Sequence, residues 1–198
     1  MKKLIFGALS LVAGLLASDY VDGLNAYKAN DYKKAKEIFE KTCDGGVAGA
    51  CAILGAMYYE GKIIKQDYQK AREILQKACD LGEAWGCSNL GFLYNHGQGV
   101  KKDYQKANEL YQKACDYKEI IGCANLGNCY IAGQGVEQNY QKAREFLQKA
   151  CDGNDALACY NLGLLYKKGQ GVKQNSQQAK TLFNKACYFG FQNACEYY

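Results

Sequence analysis

Eleven cysteines carry most of the chemistry available to this chain of 198 residues, and ten of them fall into one pattern. Cys-x7-Cys occurs at Cys43/Cys51, Cys79/Cys87, Cys115/Cys123, Cys151/Cys159 and Cys187/Cys195, each copy 36 residues after the last. Paired thiols at fixed spacing form disulfides or hold a metal. A zinc site wants four ligands at short internal spacings, and the sole histidine is His96, so no metal and no cofactor is expected. Nucleophilic catalysis has equally little to work with. Beyond residue 17 the hydroxyl side chains other than tyrosine are Ser18, Ser88, Ser176, Thr42 and Thr181. None of Ser-x-x-Lys, Ser-Asp-Asn or Lys-Thr-Gly, the serine β-lactamase signature, is present. Ser88 alone sits where it could face a groove, about two helical turns from His96. No catalytic residue is assigned, and efficient hydrolysis is not expected.

A fixed period of this length means a tandem repeat. Full units begin at Asp31, Asp67, Asp103 and Asn139, and a truncated copy starts at Asn175. Asp and Asn are preferred N-caps, because the side-chain oxygen accepts from an otherwise unpaired backbone N–H. Small or apolar residues then recur at helical spacing, as at Ala71, Ile74, Leu75 and Ala78. Glu37/Lys41, Glu73/Lys77, Glu109/Lys113 and Glu145/Lys149 are expected as i,i+4 pairs on the outer face. A tight turn follows, with Gly46, Gly82, Lys118, Asn154 or Gly190 at its left-handed position, where Lys118 is the misfit. A second helix is expected near 47–60, 83–96, 119–132 and 155–168. It carries the second cysteine and then Leu-Gly, whose glycine admits a closely approaching helix. Gly-Gln-Gly-Val at 97–100, 133–136 and 169–172 ends it; following a helix and recurring each period, it reads as a structural turn and not a phosphate loop.

The two cysteines of a pair lie about one turn either side of the tight turn, so antiparallel helices bring them face to face and each bridge joins one unit to the next. Closing such a loop is worth roughly 2–3 kcal/mol in the chain-entropy account. Cys129 stands outside the pairs, in a slot filled by Met57, Leu93 and Leu165 elsewhere, and is expected as a small buried hydrophobe.

Helical spacing from Trp85 gives the row Trp85, Asn89, Phe92 and His96. The next units give Ile121, Asn125, Asn128 and Ala132, then Leu157, Asn161, Leu164 and Lys168. An amide both donates and accepts, so asparagines recurring at 89, 125 and 161 can clamp an extended peptide backbone. Trp85, Asn89, Phe92, Asn125, Asn128 and Asn161 are therefore the candidate ligand-binding residues. The competing reading has these amides bonding neighbouring helices.

Lys2 and Lys3 precede an apolar run from Leu4 to Leu16, followed by Ala17, Ser18 and Asp19. This is the layout of a secretory signal peptide. Residues 1–17 are expected to be removed, leaving 18–198 as a single repeat domain, secreted or periplasmic, with no membrane segment. The net charge of +5 falls to +3 when Lys2 and Lys3 go, and the remaining lysines are spread along the repeats. That is no nucleic-acid footprint. Disulfides and export support each other.

Ala-x-x-x-Cys-x-x-Leu-Gly-x-x-Tyr-x-x-Gly-x-Gly-Val, followed by Asp-Tyr-x-Lys-Ala, resembles the Sel1-like repeat, a relative of the tetratricopeptide repeat. With its paired cysteines the chain is similar to the secreted cysteine-rich Sel1-like proteins of Helicobacter, over residues 20–198. The resemblance departs at Ile63, which replaces the second loop glycine, and near 20–43, where Ala29-Asn30 makes a short loop. It implies an all-α, right-handed solenoid of antiparallel helix pairs, expected to be a monomer. It also implies a peptide, protein or peptidoglycan-like partner in a concave groove, and weak binding and hydrolysis of β-lactams. The alternative is a purely non-catalytic interaction scaffold.

Overall fold

The computed structural model describes the backbone of residues 2–197 and the side chains of 15–197. Among these residues the elements are helices throughout: α1 (Lys2–Lys28), α2 (Tyr32–Asp44), α3 (Ala48–Glu60), α4 (Tyr68–Asp80), α5 (Ala84–His96), α6 (Tyr104–Asp116), α7 (Ile120–Ala132), α8 (Tyr140–Asp152), α9 (Ala156–Lys168) and α10 (Ser176–Tyr188). A short 3-10 turn over Gln192–Tyr197 follows. The chain divides into two compact units, the first holding residues up to Leu93 with Gln98–Val100, the second holding Tyr94–Gly97 with Lys101 onward.

Two kinds of helix alternate. The first kind (α2, α4, α6, α8, α10) starts at a side-chain cap. Asp67 accepts from the Lys70 backbone N–H at 2.9 Å, and Asp103, Asn139 and Asn175 do the same at 2.9–3.0 Å. These helices bury one stripe, such as Ala71, Leu75, Ala78 and Cys79 of α4, and leave the other face to water. The second kind (α3, α5, α7, α9) is apolar or small nearly all round. The glycine of each Leu-Gly step explains how it is accommodated. A Cβ on Gly55 would lie 2.6 Å from Leu75, on Gly127 2.8 Å from Leu147, and on Gly163 2.7 Å from Phe183.

In the first unit α1 packs on α2, α2 on α3 and α3 on α4. Phe39, Leu54, Met57, Leu75, Leu90 and Leu93 form its buried interior. In the second unit α6 to α10 pack successively, around Leu147, Leu162, Leu165, Leu182 and Phe183. A smaller cluster of Ala107, Tyr111, Leu126 and Cys129 lies under α6 and α7.

The turns between the two kinds of helix adopt positive φ at Gly46, Gly82 and Gly190, and also at Lys118 (66°) and Asn154 (71°), where a side chain must bear it. Gly135 and Gly171 are left-handed, and their turns press back on the start of the preceding first-kind helix: a Cβ on either would lie 2.5 Å from the carbonyl carbon of Tyr104 or Tyr140. Ile63 occupies the equivalent slot without a positive φ, so the first of these turns takes a different path.

One expectation fails. The Glu/Lys i,i+4 pairs give way to other partners. Glu73 takes Arg72 (3.2 Å) and Glu109 takes Lys106 (3.0 Å), while the lysines reach across to other helices. Lys41 pairs with Asp19 (2.8 Å), Lys77 with Asp44 (3.2 Å) and Lys185 with Asp152 (3.8 Å). Each lysine lies in the last turn of its helix, within reach of Asp19 inside α1 or of Asp44 and Asp152 at the ends of α2 and α8. A sequence-spaced glutamine closes three of the loops. Gln66, Gln138 and Gln174 each donate a side-chain N–H to a carbonyl seven residues earlier, at 2.7–2.9 Å.

Candidate functional site

Five disulfides tie the last turn of a first-kind helix to the element that follows: Cys43–Cys51, Cys79–Cys87, Cys115–Cys123, Cys151–Cys159 and Cys187–Cys195. Their Cα–Cα separations run from 4.5 to 5.0 Å. The tight turn sets that distance by holding two antiparallel helix ends side by side. Cys129 is unpaired and buried in the Tyr111 cluster, and burial pushes its thiol up to about 11. It is protonated, and so a poor nucleophile, at neutral pH. Among the described residues no cluster of histidine, cysteine or carboxylates could hold a metal.

Ser88 does not face solvent. It is 3% exposed, inside the first unit, because its position on α5 points between packed helices. His96 is exposed at the end of that helix. The possibility that Ser88 addresses a groove is therefore corrected.

The asparagine rows are resolved unit by unit. In the first, Trp85, Asn89 and Phe92 are half-buried on α5. The Asn89 side chain donates to the Trp85 carbonyl one turn back, at 3.0 Å. Phe92 meets Tyr59 of α3 edge-on, ring centroids 5.9 Å apart. In the second unit, Asn161 of α9 donates from Nδ2 to Oδ1 of Asn128 on α7 at 2.8 Å. Asn125 and Asn128 are half-buried on the same helix. The structure thus places Asn128 and Asn161 together and turns Asn89 onto its own backbone. The bonded pair leaves the Asn128 amide N–H groups and the Asn161 carbonyl oxygen with capacity to spare. Ile121 (48% exposed) and Leu157 (45%) stand one to two turns away on the same two helices.

Three clefts were not foreseen. One of about 450 Å³ lies between α1 and α2, beside Asp22, Asn25 and Lys34. One of about 500 Å³ is lined by Cys115 and Cys123 beside Lys118, Lys149 and Asp152. The third, also about 500 Å³, opens beside Asn108 of α6. The signal for that last one was present in the chain as a break in the repeat, since Asn108 stands where Lys36, Arg72, Arg144 and Lys180 stand in the other units.

Capped helix pairs, a glycine step between them and a disulfide at each junction define a tandem helix-pair repeat scaffold. The Sel1 repeat matches residues 15–47, 48–83, 86–116, 120–155 and 156–188, and the chain belongs to the Sel1 repeat family. Repeats of this type generally mediate protein–protein contacts. Among solved structures, the chain is similar to c5321, a protective antigen of uropathogenic Escherichia coli with this repeat fold (30% identity, TM-score 0.85). The likeness covers 92% of this chain and 40% of that one, so the chain spans well under half of that antigen. A Sel1 repeat protein of Oxalobacter formigenes is similar at 29% identity and TM-score 0.82, over 88% of this chain and 71% of that one. Cysteine rich protein B of Helicobacter pylori is 37% identical, with TM-score 0.53, over 69% of this chain and 98% of that one. No curated protein matches the chain in sequence. Five disulfides fit an oxidising, extracytoplasmic environment. Among the described residues no helix is long and apolar enough to cross a membrane.

Proposed function

We propose that this chain is an exported, disulfide-stapled scaffold that binds an extended peptide segment of a protein or cell-wall partner on the face of α7 and α9. The observation that carries this reading is the Asn128–Asn161 amide pair, bonded across two helices and flanked by the exposed Ile121 and Leu157. The mutual bond fixes both amides while leaving a donor on one and an acceptor on the other. An extended backbone offers the complementary acceptor and donor. Exposed aliphatic side chains beside such a pair supply apolar contact for a ligand's own side chains. Trp85 and Phe92 are assigned the same task in the first unit, with Asn89 contributing its free carbonyl oxygen.

The test is a peptide array of unrelated extended sequences probed with the oxidised protein and with the Asn128→Ala/Asn161→Ala double variant. Capture that drops in the double variant supports the reading; equal capture by both proteins removes it.

Residues 1–17 are assigned to a cleaved export signal, and the periplasm or the cell exterior to the mature protein. Intact mass of the secreted chain checks this, with Ser18 expected at the N-terminus. Slow hydrolysis of β-lactams rests on the Helicobacter resemblance alone and gains nothing from Ser88, which is buried. A chromogenic β-lactam incubated with the purified protein and with Ser88→Ala tests it.

A further inference from the structure

First-kind helices place a long cation at one fixed position: Lys36, Arg72, Arg144 and Lys180. The next residue is glutamate in four of the five helices, at 37, 73, 109 and 145. In α4 the Arg72 guanidinium bonds Glu73 at 3.2 Å, and in α8 Arg144 lies 3.9 Å from Glu145. Helix α6 keeps the acid, Glu109, but carries Asn108 in place of the cation. An asparagine is too short to reach along the helix surface as an arginine does. Beside it the second unit opens the cleft of about 500 Å³, walled by Gln105, Asn108, Glu109 and Gln112 of α6 over Leu126 and Tyr130 of α7.

Several polar groups of this cleft have acceptor capacity left over. Asn108 is 6% exposed; its Nδ2 donates to the Gln134 carbonyl at 2.6 Å, and its Oδ1 is buried without a hydrogen bond. A buried carbonyl oxygen without a partner is destabilising. Gln112 donates one amide N–H to Asp116 at 2.8 Å, leaving its second N–H and its carbonyl oxygen. Glu109 is bonded only from the rim, by the exposed Lys106 at 3.0 Å. Three side chains that carry acceptors, Asn108, Glu109 and Gln112, thus line one cleft with Leu126 and Tyr130.

We propose that this cleft binds a guanidinium group, the side chain of an arginine presented by a partner protein. It would fill the slot that Arg72 and Arg144 fill from within their own helices. A guanidinium is a planar set of donors with no acceptor, so it answers an amide oxygen and a carboxylate together, and its stem lies on apolar surface. The cleft shares no residue with the Asn125, Asn128 and Asn161 row, so its failure leaves the peptide reading standing.

The experiment follows the side-chain amide signals of Asn108 and Gln112 by NMR in the oxidised full chain, titrated with N-acetyl-arginine methylamide. The citrulline and lysine analogues are the neutral and non-planar controls. The arginine probe is expected to shift both amides saturably, and each control to bind at least about tenfold more weakly. Glu109→Gln is expected to weaken the arginine probe by a similar factor. Asn108→Arg restores the repeat's own residue; it is expected to keep the helical circular dichroism, raise Tm and abolish the Gln112 shift. The proposal is overturned if the arginine probe produces no saturable shift, if citrulline or lysine match it, or if Glu109→Gln or a folded Asn108→Arg binds it as the wild type does.

Discussion

Tyr111 and Cys129 illustrate how one repeat departs from its neighbours without losing its packing. Position 111 is leucine in the flanking units (Leu75, Leu147), and position 129 is leucine as well (Leu93, Leu165). The larger and the smaller replacement fall in one buried cluster with Ala107 and Leu126. Burial, and secondarily the neighbouring Cys129, push the Tyr111 hydroxyl well above its ordinary value. We read the two changes as a volume exchange, since cores tolerate swaps that conserve total volume and resist those that do not. Cys129→Leu alone is expected to overpack and cost about 1–3 kcal/mol. Tyr111→Leu alone leaves a void and is also destabilising. The double variant is expected to recover most of the loss, giving a coupling above roughly 0.5 kcal/mol in a double-mutant cycle. Urea unfolding under non-reducing conditions measures it, and additive losses would remove the exchange.

At the scale of the element, the turn that joins the two kinds of helix demands a left-handed residue, and Lys118 supplies it at φ 66°. A non-glycine side chain in that region costs roughly 1–2 kcal/mol. Lys118→Gly, which matches Gly46, Gly82 and Gly190, is expected to raise Tm by about 2–4 °C, the shift that ~1 kcal/mol brings in a chain of this size. A fall in Tm would show that Lys118 earns its place through contacts beyond the turn. The caps, the turns and the glycine steps were legible in the chain because each depends on local geometry repeated every 36 residues. The cross-helix pair Lys77–Asp44 was not, since the intrahelical Glu73 offered a nearer partner on paper. Arg72, adjacent to Glu73, removes that partner in the folded helix.

For the molecule as a whole, the staples differ in access to reductant. Cys151 and Cys159 are fully buried, whereas Cys115 and Cys123 border an open cleft beside Lys118 and Lys149. Cys187 and Cys195 are half-buried at the last turn. Thiol exchange requires reach to a sulfur. Graded reduction with alkylation and mass analysis should therefore open Cys187–Cys195 and Cys115–Cys123 before Cys151–Cys159. Early opening of Cys151–Cys159 would show that local unfolding, and not static access, governs the order. The disulfides that suggest an oxidising environment were legible from the cysteine pairs once the single histidine had left a metal site without ligands. The candidate site was legible only as positions. The recurrence of Asn89, Asn125 and Asn161 marked a row, but which amides bond their own backbone and which bond each other depends on side-chain rotamers no periodicity reports. The proposed binding of extended peptides on the α7–α9 face depends on Asn128 and Asn161. The most direct measurement is the affinity of one array-selected peptide for the wild type and for Asn128→Ala/Asn161→Ala, by titration calorimetry under oxidising conditions. The account predicts a loss of at least about tenfold in the double variant with its fold intact, the scale of one or two lost hydrogen bonds. Unchanged affinity in a folded double variant would contradict it.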